Sequence, residues 1–303
     1  GFELSETVVF DFPTLRRLEA HIQALTATSV TPPEKASSGD DMPESPDSVL
    51  QQFVQPSQAQ AAPTGHAIFV RGYSFVLPGG VNSVSSHLDM SRNSTNLIDE
   101  VPLTRWDAEQ LALSDIDERK ANSMRYGGFT NGAHLFDHRR FGVSTVEAIA
   151  MDPQQRNILE HGYIALHGGN VLSERFMVGV AIGITQTEYA RILESSPAAY
   201  TVPATTGATL SIASGRLSYI LGLHGPCASF ETACSSALMA CHYATTALRG
   251  GECDAHLVAG VNLMLHPSTS AGLAVAGMLS PTGRSHTFDH RADGFARGEG
   301  CAG

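Results

Sequence analysis

The sequence predicts an α/β fold: a mixed or parallel sheet covered by helices on both faces. Three observations carry that expectation. Phe176–Gly183 and Ala255–Met264 are continuous apolar runs without polar alternation, which read as strands buried on both sides. Asp152-Pro153 opens a stretch with Ile158, Leu159 and Leu166 at helical spacing, and Ser211–Leu221 reads as a second helix. Ala237–Leu248 is rich in Ala, Leu and Met with no Gly or Pro, a third helix. Strands alternating with helices belong to one layered sheet.

Taken in order, residues 1–27 form a small unit, with Phe12-Pro13-Thr14 as a helix entry and Leu15, Leu18, Ile22 and Leu25 at helical spacing. Residues 28–64 shift to Pro, Ser, Gln, Asp and Glu, a composition that cannot bury a core and reads as a linker. The globular part is 65–303. It opens with Ala67–Phe75, which reads as a buried strand, and a turn at Pro78-Gly79-Gly80. Val101–Asp107 and Tyr126–Phe129 read as loops. The Phe176–Gly183 run lacks the glycine spacing or the Gly-Lys-Ser/Thr of a phosphate-binding loop.

The stretch around which the chain is organised is Phe230–Ala240. Gly225-Pro226 breaks a helix, a short extended run follows, and Cys234 then sits at the turn into the Ala237–Leu248 helix. The positive end of a helix dipole favours a thiolate there, and the small neighbours Ala233, Ser235 and Ser236 leave room for a carbonyl to approach. Position alone leaves a second reading open, since cysteine is among the most buried residue types.

Composition excludes several classes. The chain has 303 residues, 42% of them hydrophobic, and a net charge of −11, which argues against nucleic acid and anionic membrane partners. Gly, His and charged residues interrupt every apolar run before bilayer length, and the acidic opening Gly1–Glu6 is no secretory signal. Five cysteines form no disulfide framework, which points to a reducing intracellular compartment, cytoplasmic or plastid. Cys241, His242, Cys253 and His256 fit no zinc spacing and read as core thiols with neighbouring histidines.

Several motifs extend this reading: Leu135-Phe136-Asp137, Glu147-Ala148, Met151–Arg156, Ser214–Tyr219, Gly225-Pro226, Thr232–Ser236, Gly260-Val261-Asn262, Leu279–Arg284, Phe288-Asp289 and Ala292–Gly300. In this order they resemble the β-ketoacyl synthase domain of a modular type I polyketide synthase, from about His66 to the last residue. The resemblance implies a thiolase-like fold, of which this chain would hold the N-terminal part. It also implies Cys234 as the acyl-accepting nucleophile of a decarboxylative condensation. Glu6–Leu18 resembles the end of an acyl carrier protein domain, whose phosphopantetheine serine would lie upstream, so no cofactor is expected bound in this chain. Asp47-Ser48-Val49-Leu50 lies in the linker and is a decoy for that motif.

The implied partners are acyl carrier protein domains, which deliver the phosphopantetheine arm, and a second copy of the domain, paired through a strand near Ala228–Glu231. No nucleic acid or membrane is implied. The sequence departs from the family at Glu231 (usually Asp), Ala237 (usually Ser), Tyr163-Ile164 (Trp-Glu) and Ser285-His286 (Cys-Lys). The two histidines and the lysine that stabilise the family's enolate would follow Gly303, and none of the 13 histidines lies in either motif. The alternative expectation is therefore a truncated, condensation-inactive structural or dimerisation fragment. Asp289, Asp293, Arg297 and Glu299 read as one hydrogen-bonded loop network, Met278–Pro281 as a channel-lining loop, and His134, His138 and His224 as surface residues.

Overall fold

Strand β4 (Val178–Ile184) is buried at all seven positions, as the unbroken apolar run requires. In the computed structural model, which describes residues 67–108, 117–172, 175–185 and 188–303, it lies second from one edge of a five-stranded sheet. That sheet has the order β1–β8–β6–β4–β5, with β1 at Phe75–Val76, β5 at Cys227–Phe230, β6 at Ala255–Asn262 and β8 at Gly300–Ala302. β4 runs parallel to β5 and β6, whereas β8 runs antiparallel to β6 and β1, so the sheet is mixed. A second, three-stranded sheet joins β2 (Asp99–Glu100), β3 (Tyr126–Gly128) and β7 (Arg297–Gly298). The units predicted at 1–27 and 28–64 lie outside the described residues. Those residues all fall within the unit Thr64–Gly303.

Among the described residues the helices of six residues or more are α1 (Val84–Arg92), α2 (Glu118–Ser123), α3 (Thr145–Ala150), α4 (Pro153–Gly168), α5 (Glu188–Glu194), α6 (Leu210–Leu221), α7 (Ser236–Arg249) and α8 (Pro267–Val275). The three helices predicted from periodicity are α4, α6 and α7. Pro153 occupies the first turn of α4, and the buried Asp152 caps it by accepting the Gln154 N–H at 2.8 Å.

The two faces of the sheet differ in a way that the two-residue strand period explains. Val180 and Ile182 on β4, and Leu257, Ala259 and Val261 on β6, pack with Ile158 and Leu159 of α4 and Leu217 of α6 in one core. The alternate positions, among them Gly183 and Gly260, are registered neighbours on the other face. A Cβ at Gly183 would stand 2.4 Å from the Ala237 nitrogen, and one at Gly260 2.9 Å from the Ala237 Cβ. Two strand glycines therefore let the first turn of α7 rest on the sheet. The outward side of α7 is open: Leu238 is 72% exposed, and Met239, Cys241 and His242 are exposed with it.

Two local readings are corrected. Ala67–Phe75 is not a buried strand, because only Phe75–Val76 joins the sheet, and Phe69 and Val70 are 79% and 87% exposed. Phe75 faces Ala302 of β8, Ser74 and Gly303 exchange N–H···O bonds of 2.9 and 2.8 Å, and no described strand pairs with residues 67–73. Tyr126–Gly128 is a strand and not a loop. A side chain at Gly127 would strike Met264, and one at Gly128 would strike Pro78, so glycine here marks close packing.

Candidate active site

Cys234 stands where the edge strand β5 turns into α7, and it is exposed. The turn is tight because Ala233 holds φ at 52°, a left-handed conformation that few residues with a Cβ adopt. Hydroxyls hold it in place. Ser236 accepts the Thr232 N–H at 2.9 Å and donates to the Ala233 carbonyl at 2.7 Å. Ser235 donates to the Thr232 carbonyl at 2.7 Å. The sulfur opens onto a concavity of about 650 Å³ whose wall includes Gly183, Asn262, Gly298 and Glu299. No histidine and no lysine line it among the described residues.

The five thiols separate by environment. Cys227, Cys234 and Cys241 are exposed, while Cys253 and Cys301 are buried. Cys301 borders the same concavity, but complete burial pushes its thiol up to about 12. Burial raises Cys253 as well. The expectation of core thiols holds for Cys253 and fails for Cys241, which lies on the open side of α7. His256 packs edge-on to Tyr243 at 5.8 Å, and burial lowers its pKa, so the neutral ring is favoured. Among the described residues, no three His, Cys, Asp or Glu side chains converge on a metal position.

The four charged residues of the loop are hydrogen-bonded, but each to its own partners. Glu299 is fully buried and accepts five hydrogen bonds: two from Arg105 (2.9 and 3.0 Å), two from Thr130 (both 2.8 Å) and the Met264 N–H (3.0 Å). Arg297 pairs with the buried Glu188 at 3.3 Å, and Glu188 also accepts the Leu265 and His266 N–H groups. Leu263 adds its N–H to Gln154 at 3.2 Å. Four successive backbone amides after β6 are thus held by buried side chains, and one of these, Glu299, also lines the concavity. Asp293 instead accepts the Ser280 hydroxyl at 2.7 Å. Asp289 lies at the surface with Arg291, whose hydrogen bonds bring its carboxyl down to about 2.

The remaining singled-out residues lie apart from the sulfur. Met278–Pro281 does not line its concavity but pairs with Phe295, through Ser280 N–H to the Phe295 carbonyl and Phe295 N–H to Met278, both 3.0 Å. His134 and His224 are exposed as expected. His138 is half-buried, its Nδ1 lying 2.6 Å from the Val143 carbonyl. Tyr163 stacks on His167 and carries the Arg140 guanidinium 4.7 Å above its ring. Sequence reading missed the part played by Ser236 and by the glycine pair Gly183 and Gly260. The signal available was a glycine inside each apolar run, at positions where a strand interior disfavours it.

Similarity to known proteins places the fold in one family. A family model described as "Beta-ketoacyl synthase, N-terminal domain" matches residues 66–303. A mycocerosic acid synthase-like polyketide synthase of Mycolicibacterium smegmatis is 37% identical over 237 residues, covering 77% of this chain and 11% of that protein. A phenolphthiocerol/phthiocerol polyketide synthase chain of Mycobacterium tuberculosis is 39% identical over 237 residues, 77% of this chain and 15% of that one. Among solved structures, the ketosynthase from module 6 of the bacillaene synthase of Bacillus subtilis 168 superposes with a TM-score of 0.67 at 34% identity. That match covers 77% of this chain and 39% of the other. An oxazolomycin ketosynthase domain of Streptomyces albus JA3453 gives 0.67 at 28% identity, over 77% and 41%. The chain thus spans a small part of the curated relatives and about two fifths of the solved ketosynthases.

Proposed function

The chain belongs to the β-ketoacyl synthase family, matching its N-terminal domain with a thiolase-like mixed sheet, and from that membership we propose that it supplies the acyl-accepting half of a polyketide-type condensation. Cys234 is the nucleophile. Its thiolate attacks the carbonyl carbon of an acyl thioester, and the donor sulfur leaves as a thiol with the proton that Cys234 released. A malonyl-type extender then loses carbon dioxide. Its enolate attacks the acyl-Cys carbonyl, the Cys234 thiolate leaves, and a β-ketoacyl thioester remains on the second donor. The class of reaction is acyl transfer followed by carbon–carbon bond formation.

The observation that carries the reading is the turn itself. Among the exposed thiols, Cys234 alone stands on a left-handed strand-to-helix turn that faces a concavity. Polyketide over fatty-acid chemistry follows from the names of the relatives. The donors are acyl carrier protein domains bearing phosphopantetheine, with residues 1–27 as the end of one such domain and 28–64 as the linker to the unit 65–303. A second copy pairs through β5, which among the described residues bonds only to β4 and has no strand on its outer edge. No helix among the described residues is long and apolar enough to cross a membrane. A reducing compartment fits the unpaired thiols.

The second reading, a structural or dimerisation fragment, is favoured by one observation. The described residues bring no histidine or lysine to the concavity for the decarboxylation step. The two readings part at the first half-reaction. Mixed with an acylated carrier protein, the 303-residue chain is expected to gain the mass of the acyl group, and Cys234→Ala is expected to gain none. A chain that stays unacylated under conditions that acylate a complete ketosynthase supports the fragment reading.

A further inference from the structure

We propose that Ser236 is the positioning residue that sets the direction of the Cys234 sulfur, an inference that rests on the reading of Cys234 as nucleophile. The Ser236 side chain is 4% exposed and bridges the turn from the helix side. Its oxygen takes the Thr232 N–H at 2.9 Å, and its proton goes to the Ala233 carbonyl at 2.7 Å. One hydroxyl therefore satisfies the backbone on both sides of the peptide that enters the left-handed residue. Ala233, at φ 52°, sits where its Cβ crowds the following carbonyl, so it needs an outside restraint to remain there.

Ser235 cannot replace that restraint. Its hydroxyl bonds to the Thr232 carbonyl at 2.7 Å and the Thr232 hydroxyl at 2.9 Å, both upstream of Ala233. From below, Ala237 rests on Gly183 and Gly260, so the helix that carries Ser236 is itself fixed to the sheet. Floor and clamp together fix the turn from which Cys234 borders the concavity, with Ala233 and Ser236 beside it. Acyl transfer requires the sulfur to meet the thioester carbonyl along a narrow approach. A small alkylating agent reaches an exposed thiol from many directions. The clamp should therefore matter for acyl transfer and hardly at all for alkylation.

The experiment uses the 303-residue chain, octanoyl-N-acetylcysteamine as acyl donor and iodoacetamide as the undirected probe. In Ser236→Ala the saturating rate of Cys234 acylation is expected to fall by ~10-fold or more, with the half-saturating donor concentration and the alkylation rate within ~2-fold of wild type. Adding Ala233→Gly to that variant is expected to restore most of the rate, because glycine adopts positive φ without the Cβ clash. Separately, hydrogen exchange of the Thr232 amide, read in selectively labelled protein, is expected to accelerate by ~10-fold or more in Ser236→Ala. An unchanged Thr232 exchange rate overturns the clamp, as does an acylation loss that Ala233→Gly fails to recover. A wild-type chain that takes no acyl group, while Thr232 exchange still accelerates in Ser236→Ala, overturns the reading of Cys234 and leaves the clamp standing.

Discussion

Arg105 and Glu299 lie 194 residues apart and meet in two parallel hydrogen bonds, with side chains only 6% and 0% exposed. The pair joins the turn after β2 to a residue that lines the Cys234 concavity. The Coulombic gain of such a pair is offset by desolvation, whereas removal of one partner leaves an uncompensated buried charge.

Arg105→Ala is expected to destabilise the fold by about 3–5 kcal/mol, read by denaturant unfolding. Glu299→Gln is also expected to destabilise, since the two N–H groups use different carboxylate oxygens and the amide nitrogen that replaces one oxygen cannot accept from Thr130 or from Met264. Wild-type stability in both variants would mean that the pair is not formed in solution.

Asp152 gives a pH dependence. Burial raises its carboxyl from 3.8 to about 6, against the lowering effect of the Gln154 N–H it caps. The native state thus holds the proton more tightly than the unfolded chain, so stability falls as pH rises from about 4 to 6, by about 3 kcal/mol. Asp152→Asn keeps a cap acceptor and loses the charge. It is expected to flatten that slope and to raise Tm at pH 7, measured by thermal unfolding across the range.

Gly183→Ala is expected to lower stability by about 1–3 kcal/mol or more, since the added carbon meets the backbone of Ala237 and not a flexible side-chain tip. Because α7 would lift from the sheet, the rate of Cys234 acylation should fall with it. A variant with wild-type melting and acylation would show that α7 does not rest on β4 as described.

Residues 65–303 expressed alone are expected to be poorly soluble. Leu238, Phe69 and Val70 are 72%, 79% and 87% exposed, large apolar side chains left facing solvent. A monodisperse monomer with a sharp cooperative melt would contradict this.

Much of the fold was legible because burial writes itself into periodicity. The unbroken apolar run of β4 and the helical spacing of α4 need no distant partner to be recognised. Ala67–Phe75 has the same apolar character, but a strand exists only where another faces it, and β8 faces only its end. Tyr126–Gly128 was hidden for the opposite reason, its glycines signalling close approach as readily as a loop. In the candidate site, Cys234 stood out from its neighbours and from the motif series. Arg297 and Glu299 looked like one cluster because they are two residues apart, yet their partners, Glu188 and Arg105, are 109 and 194 residues away. No local pattern encodes pairings of that span.

The most direct test of the central claim is a competition among the three exposed thiols of one molecule. Treated with a limiting amount of octanoyl-N-acetylcysteamine and digested under acidic conditions, the 303-residue chain is expected to carry the acyl group on the Cys234 peptide, with Cys227 and Cys241 essentially unmodified. An even distribution over the three peptides, or acylation confined to Cys227 or Cys241, would contradict the assignment of Cys234 as the acyl-accepting nucleophile.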